Sequence, residues 1–377
     1  MSENKKQHYI PRHYLKGFSQ DGESLYCYHL DDKKSFQKGI GNLCQESYFY
    51  GKDPEIEKSL NEIENKQAPI IRKLIESQSI ETLNSEEFDF LLIFILLQYT
   101  RTKYAKKMAN KFTEIYVSEF IKPLMKSSNE LKEKGITDEF INSLKITDPR
   151  LHTSGMLSAL LGKELISDLK PFLIINKSNK DFISSDAPIV LHNYLKYLHA
   201  YAFASPGLQI FCPLNKDTML LLIDTNLYNL KINTGSNIYL DDDSDVDSIN
   251  KLQFFQFLHH VFYFDNTTEN YVSDLYHEIE ELIKEKEVIT KIIQTIRNKD
   301  EIYSEIVETS TMSSNYRLNF TFIKLNHANN RLLKNKYKKL SLTSKVFDLC
   351  RNDEIVARHE TNYRKILESY ILNHNLP

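Results

Sequence analysis

The chain has 377 residues, enough for two domains of ~150 residues or one large one. Charged residues make up 26% and hydrophobic ones 41%, so a sizeable core can form and whole-chain disorder is excluded. The 48 basic and 51 acidic residues leave a net charge of −3, which excludes a global basic footprint for nucleic acid and leaves room only for a local basic patch.

With 10 Gly and 10 Pro, collagenous, propeller-like and loop-dominated architectures are also excluded. Cys27, Cys44, Cys212 and Cys350 are scattered, with no C-x-x-C pair and no His at ligand spacing. A disulfide scaffold or structural zinc is therefore not expected, and a reducing cytoplasm is. The first eight residues lack an apolar h-region, so no signal peptide is expected. The longest apolar run, Phe90 to Leu97, has eight residues against the roughly 20 that a spanning helix needs, so it reads as core and no membrane partner is expected.

In chain order, residues 1–20 form an opening segment in which Pro11 blocks helix continuation from its N-terminal side. Aromatic-rich Leu25 to Leu30, the polar Asp31 to Lys34 and the return Ser35 to Leu43 predict a β-hairpin over 24–43. Ile56, Leu60, Ile63, Ile70, Ile71, Leu74 and Ile75 recur at helical steps and predict an amphipathic helix from Pro54 to about Ser77. Asn84-Ser85-Glu86-Glu87 caps a second helix running to about Met125. Its length would approach some 60 Å, so a kink or break is expected near Thr100 to Lys106.

Residues 126–150 are polar, with a short helix and loops, and a helix follows from about Leu151 to Leu169. Short apolar runs at 172–175, 181–184, 209–212 and 219–223 predict strands. The Asp241 to Asp245 cluster caps a helix over 244–260, before a strand at 261–264. A charged helix is expected over Ser273 to Arg297, then a hairpin at 302–308 and 317–325, a basic stretch from Arg331 to Lys339 and a last helix near 353–372. Helices and strands in separate runs give the class α+β, mainly helical, with an antiparallel sheet and an N-terminal β-hairpin.

Standard site signatures fail on inspection. Gly39-Ile40-Gly41 follows a predicted strand, but Cys44 stands where a dinucleotide fingerprint needs its third small residue. His277-Glu278 begins like a zincin helix, yet Glu281 stands where the second His belongs. The Asp241 run resembles a calcium loop until Val246 takes the turn glycine's place and Leu252 that of the bidentate Glu.

Three constellations survive. His8-Tyr9-Ile10-Pro11-Arg12-His13-Tyr14 gathers two imidazoles, a guanidinium and two phenols on a stiff backbone. It suits a phosphate or carboxylate, with Arg12 as a bidentate fork and His8 moving a proton near neutral pH. Asp181 to Pro188 ends a strand in Ser185-Asp186, a place for a metal-binding or general-base carboxylate or for an Asx-turn. Gln98-Tyr99-Thr100-Arg101 brings polar heads to the point where the buried run leaves the core, and Arg101 reads as an anion clamp or as the partner of Glu57 or Glu64. Glu64, His152 and Asn250 rank lower. His259 and His260 are adjacent and cannot share one helical face.

The N-terminal motif resembles the bacterial DUF4238 family, of uncharacterised function. The resemblance extends through Leu43 to Tyr50, the acidic helix Glu57 to Glu64, Gln98 to Thr102, Phe182 to Pro188, Phe211 to Leu214, and Asn250 ahead of an aromatic strand. It covers roughly 6–265, so 1–265 reads as the family's core and 266–377 as a C-terminal extension.

From the residue types, the expected activity is hydrolysis of a phosphodiester, as a nuclease of a bacterial defence or toxin system. His8 would be the general acid/base, and Arg12 and Arg101 phosphate clamps, with Gln98, Asn250 and His152 also contacting substrate. Asp186, with Glu64, would hold a divalent ion such as magnesium or activate water. The alternative is a non-catalytic sensor for an anionic small molecule or nucleotide. A third reading makes His8, Arg12, Glu64, Arg101 and Asp186 a buried ion network that fixes how the hairpin and helices dock.

Overall fold

The computed structural model describes residues 6–145, 151–195, 203–256, 258–284, 289–298, 301–310, 318–339 and 350–373. The fold is α+β, with helices in 53% of it and strands in 19%.

The helical layer follows from local signals. Asp53 caps the helix Pro54–Ser77 by accepting from the Glu55 amide at 3.0 Å, and Leu60, Gln67, Ile70, Ile71 and Leu74 form its buried face. Gln78, left-handed at φ 47°, ends it. Asn84 and Glu87 close a reciprocal capping box on Ser85–Thr100, whose apolar residues bury it on nearly all sides. The break expected near 100–106 falls at Arg101 and Thr102. The Thr102 hydroxyl accepts from the Ala105 amide at 3.1 Å and starts the next helix, Lys103–Tyr116. The helix expected over 151–169 stops sooner, at Leu161, where Gly162 leads into a 3-10 turn over Lys163–Ile166.

Beside this layer lies a five-stranded sheet in the order Asn237–Leu240, Lys170–Asn176, Thr218–Ile223, Gln209–Pro213, Val190–His192. It is antiparallel except for its first pair, a parallel edge that periodicity did not announce. Alternate residues feed different cores. Leu173, Ile175, Ile210, Leu220 and Leu222 pack toward the helical layer, while Phe172, Ile174, Phe211, Leu221 and Ile223 pack with Val246, Ile249 and Leu252 of the helix Asp243–Gln256. A second sheet joins the predicted hairpin, Ser24–His29 with Lys34–Gly39, to His260–Tyr263 and the short Ser184–Ser185.

Two expectations for the C-terminal part are corrected. The charged helix expected to Arg297 spans Glu269–Lys284, and Ile289–Asn298 is a strand paired antiparallel with Glu301–Ser310. The Ile and Thr density over 289–296 favours pleated backbone over a helix that charge alone suggests. The expected partner of 302–308 pairs elsewhere: Ile323–Leu325 runs antiparallel to Tyr228–Leu230. The helix expected to reach residue 260 ends at Gln256, so His259 lies in a bend and His260 opens a strand. Residues beyond 265 contribute to the interior: Val272, Leu275 and Ile279 pack on the second sheet, and Phe320 and Phe322 on the first.

All four cysteines are free, and Cys27, Cys44 and Cys212 are buried. Among the described residues no helix is long and apolar enough to cross a membrane.

The N-terminal motif docks at the centre of this arrangement. Lys6–His8 pairs antiparallel with Gln45–Ser47, and Pro11 precedes the short helix Arg12–Leu15. The buried Tyr14 hydroxyl donates to the Pro213 carbonyl at 2.6 Å and meets the Ser184 hydroxyl at 2.8 Å, pinning the motif to both sheets. Two residues on from Leu15, Gly17 lies against the Leu214 carbonyl so closely that an added methyl carbon would stand 2.3 Å from that oxygen. Gly17→Ala is therefore expected to destabilise the fold by about 1–3 kcal/mol, as overpacking against backbone does, seen as a lower urea midpoint; an unchanged midpoint would refute this docking.

Candidate functional site

Four of the eight residues singled out above meet at one cleft of about 250 Å³: His8, Arg12, Glu64 and Arg101. Lys6, His13, Tyr50, Glu57, Leu60 and Asn61 complete its lining. The opening strand and the short helix after it supply one wall. The acidic helix supplies the other, because Glu57, Asn61 and Glu64 follow one another at steps of four and three residues and share a face.

Arg101 forms the floor. It is 2% exposed, and its three nitrogens are committed: Nη1 to Glu64 Oε1 at 2.7 Å, Nη2 to the His8 carbonyl at 2.7 Å, and Nε to the Tyr50 hydroxyl at 3.1 Å. Burial alone would lower its pKa, but the Tyr50 oxygen and the Glu64 carboxylate outweigh it and raise the pKa further. Arg101 is thus an internal anchor instead of the expected phosphate clamp, and Glu64 is its counter-ion instead of a free base. This much of the ion-network reading is realised.

What remains uncommitted belongs to residues that line the cleft. Among the described residues Arg12 and Lys6 have no acidic partner within 4.0 Å, and Arg12 is exposed. The Nε2 atoms of His8 and His13 are buried and lack a hydrogen-bond partner. Burial lowers the pKa of both rings, to about 4 for His13, and for His8 the Arg12 charge lowers it further. Both are therefore neutral imidazoles at neutral pH in the free protein.

The other four residues lie elsewhere. Asp186, expected to hold a metal or activate water, is fully buried. Its Oδ1 accepts from the Leu258 amide at 2.7 Å, and its Oδ2 from those of His259 and His260 at 2.9 and 3.2 Å. A carboxylate wrapped by three amides and closed to solvent has no face left for magnesium, so that expectation is corrected. Its charge still reaches the motif: burial first, then neighbouring charges that include Asp186, push the Tyr9 phenol and the Cys44 thiol up.

Gln98 donates to the Tyr9 carbonyl at 3.3 Å and is 1% exposed. His152 bonds the Thr100 carbonyl at 3.0 Å and stacks on Tyr50, 6.1 Å between centroids, so it backs the cleft without entering it. Asn250 brackets the 181–183 segment, accepting from the Ile183 amide at 3.1 Å and donating to the Asp181 carbonyl at 2.8 Å. All three make structural hydrogen bonds, and none lines the cleft.

Sequence reasoning left Lys6, Tyr50 and Asn61 out of the site. The shared helical face of Glu57, Asn61 and Glu64 could have found the last of these, whereas Tyr50 has no local signal. Its place depends on the pairing of Lys6–His8 with Gln45–Ser47.

The family model described as "Protein of unknown function (DUF4238)" matches residues 6–267, and the chain belongs to this family. Every residue lining the cleft falls inside the matched span. No curated protein and no solved structure matches the chain.

Removing the floor tests the architecture of the cleft. Arg101→Met leaves Glu64 without its counter-ion and strips a donor from the His8 carbonyl. A loss of about 3–5 kcal/mol is expected, the range for breaking one partner of a buried pair. The measurement is equilibrium urea unfolding, with Glu64→Gln, which keeps a hydrogen-bonding oxygen, expected to cost less.

Proposed function

We propose that the chain binds an anionic small molecule or nucleotide through a phosphate or carboxylate group held in the cleft. The observation that carries this reading is the pair of buried, unpartnered imidazole nitrogens of His8 and His13 beside the unpaired Arg12. Buried polar atoms are nearly always satisfied, so two orphans on residues that line one cleft call for a partner. The charged lining, Lys6, Arg12 and Arg101 against Glu57 and Glu64, favours an anion by one unit. The guanidinium of Arg12 supplies the planar fork that phosphate oxygens match.

An arriving phosphate stabilises protonated imidazoles. The bound state then holds more protons than the free one, in which the His13 pKa lies at about 4 and that of His8 is also lowered. By linkage, affinity rises as pH falls from 8 toward 5. Calorimetric titration with inorganic phosphate and with nucleoside mono- and diphosphates, in two buffers of different ionisation heat, is expected to show proton uptake. Arg12→Ala is expected to weaken binding about ten- to a hundred-fold, as loss of a charge-assisted hydrogen bond does. Binding that is absent, or insensitive to both pH and Arg12, would remove the reading.

Phosphodiester hydrolysis is a second reading, favoured by the same two imidazoles. One neutral Nε2 would take the proton from the attacking hydroxyl, and the other, once protonated, would supply one to the leaving oxygen. Either activity would serve a defence or toxin system. The discriminating assay offers RNA and DNA to the wild type and to His8→Ala and His13→Ala. Hydrolysis requires cleavage by the wild type that each variant loses, whereas a binding module gives none.

A further inference from the structure

We propose that His29, Asp31 and His259 form a site for one transition-metal dication, separate from the cleft. Each offers one ligand atom, and the three lie within 4.8 Å of one another, the one such trio of His, Cys, Asp or Glu among the described residues. His259 Nδ1 stands 3.3 Å from Asp31 Oδ2. Ligands at ~2.1 Å from a tetrahedral ion stand roughly 3.4 Å apart, so this pair is already at coordination spacing and the third donor needs a shift of about 1 Å.

The backbone that carries these side chains is held from both sides. His29 ends a strand of the hairpin and pairs with His260. The Leu30 amide donates to the His259 carbonyl at 2.9 Å. On the other side the buried Asp186 carboxylate binds the amides of Leu258, His259 and His260, which fixes where the His259 ring leaves the chain. The aspartate that the metal was expected to use directly thus acts one step behind, as a positioning residue. Asp32 meets His29 Nδ1 at 3.1 Å, the carboxylate–imidazole contact that orients metal-binding histidines.

The side chains remain reachable, with exposures of 22% for His29, 63% for Asp31 and 31% for His259. Two imidazoles and one carboxylate with no thiolate favour zinc, cobalt or nickel over magnesium, calcium or manganese. Three protein ligands leave at least one coordination position for water or an anionic ligand. His259 also lines a groove of about 520 Å³ in which Lys103, Lys106, Lys107 and Lys111 outnumber Glu46 and Glu114. An ion on this triad would therefore stand beside a cationic groove, where an anion could use both.

The test is titration of the full chain with zinc alone, with cobalt as a spectroscopic probe. One equivalent is expected to bind, with cobalt giving visible ligand-field bands. Asp31→Asn and His259→Ala are each expected to weaken zinc binding at least ten-fold. Asp31 lies on an exposed turn, so its variant keeps the fold and remains readable should His259→Ala not. A wild type that takes up no stoichiometric zinc, or an Asp31→Asn protein that binds it as tightly as the wild type, would overturn the site. Arg12→Ala is expected to leave zinc uptake unchanged, so failure of the metal site and failure of anion binding in the cleft can be told apart.

Discussion

The structure is organised around one buried cation. Arg101 stands four residues past a run of eight apolar residues and sits where their helix ends, inside the protein. A guanidinium removed from water must be answered by acceptors or it is strongly destabilising. Its acceptors come from three separate stretches: Glu64 of the acidic helix, Tyr50 beyond the short strand, and the His8 carbonyl of the opening strand. Meeting that demand draws the three stretches to one place. The cleft is what remains above their junction, with the exposed Arg12 and Lys6 at its rim and the two imidazoles set in its wall.

Much of the fold was legible because local chemistry and tertiary context agree. The Asn84–Glu87 cap and the hairpin around Asp31–Lys33 are each decided within a few residues and stand where the sequence puts them, and the break at Arg101 and Thr102 falls inside the stretch where one was expected. What was illegible depends on distant pairing. Asn237–Leu240 becomes a strand only because the edge of Lys170–Asn176 accepts it. Tyr228–Leu230 depends on a partner nearly a hundred residues away. The misread stretch at 289–298 is a contest between charge pattern and β-branching, and β-branching wins once Glu301–Ser310 is beside it.

The candidate residues divide along the same line. His8 and Arg12 share a rigid heptapeptide, so their proximity follows from the chain itself, and Glu64 joins them through its salt bridge to Arg101. Asp186 shows the limit of residue-type reasoning. Its motif does dock against the opening segment, through Tyr14 and Ser184. Yet the carboxylate points to the amides of 258–260, because a charge buried away from water needs donors and the backbone there supplies three. An aspartate at a strand's edge reads the same in sequence whether it serves a ligand or its own backbone.

The five-stranded sheet is apolar on both faces, and this bears on how its strands find alignment. In a sheet wetted on one side, a slip by one residue exposes the oily face and is rejected at once. Here either face is equally greasy, so polarity cannot choose. The choice falls to the reverse turn between Pro213 and Thr218, where the Leu214 amide donates to the Thr218 carbonyl at 2.8 Å and the Asp217 amide to Asn215 Oδ1 at 3.0 Å. That turn is also the surface that Gly17 fits without a side chain. The amino-terminal segment therefore acts as a gauge: only a correctly aligned pair of central strands offers it a seat.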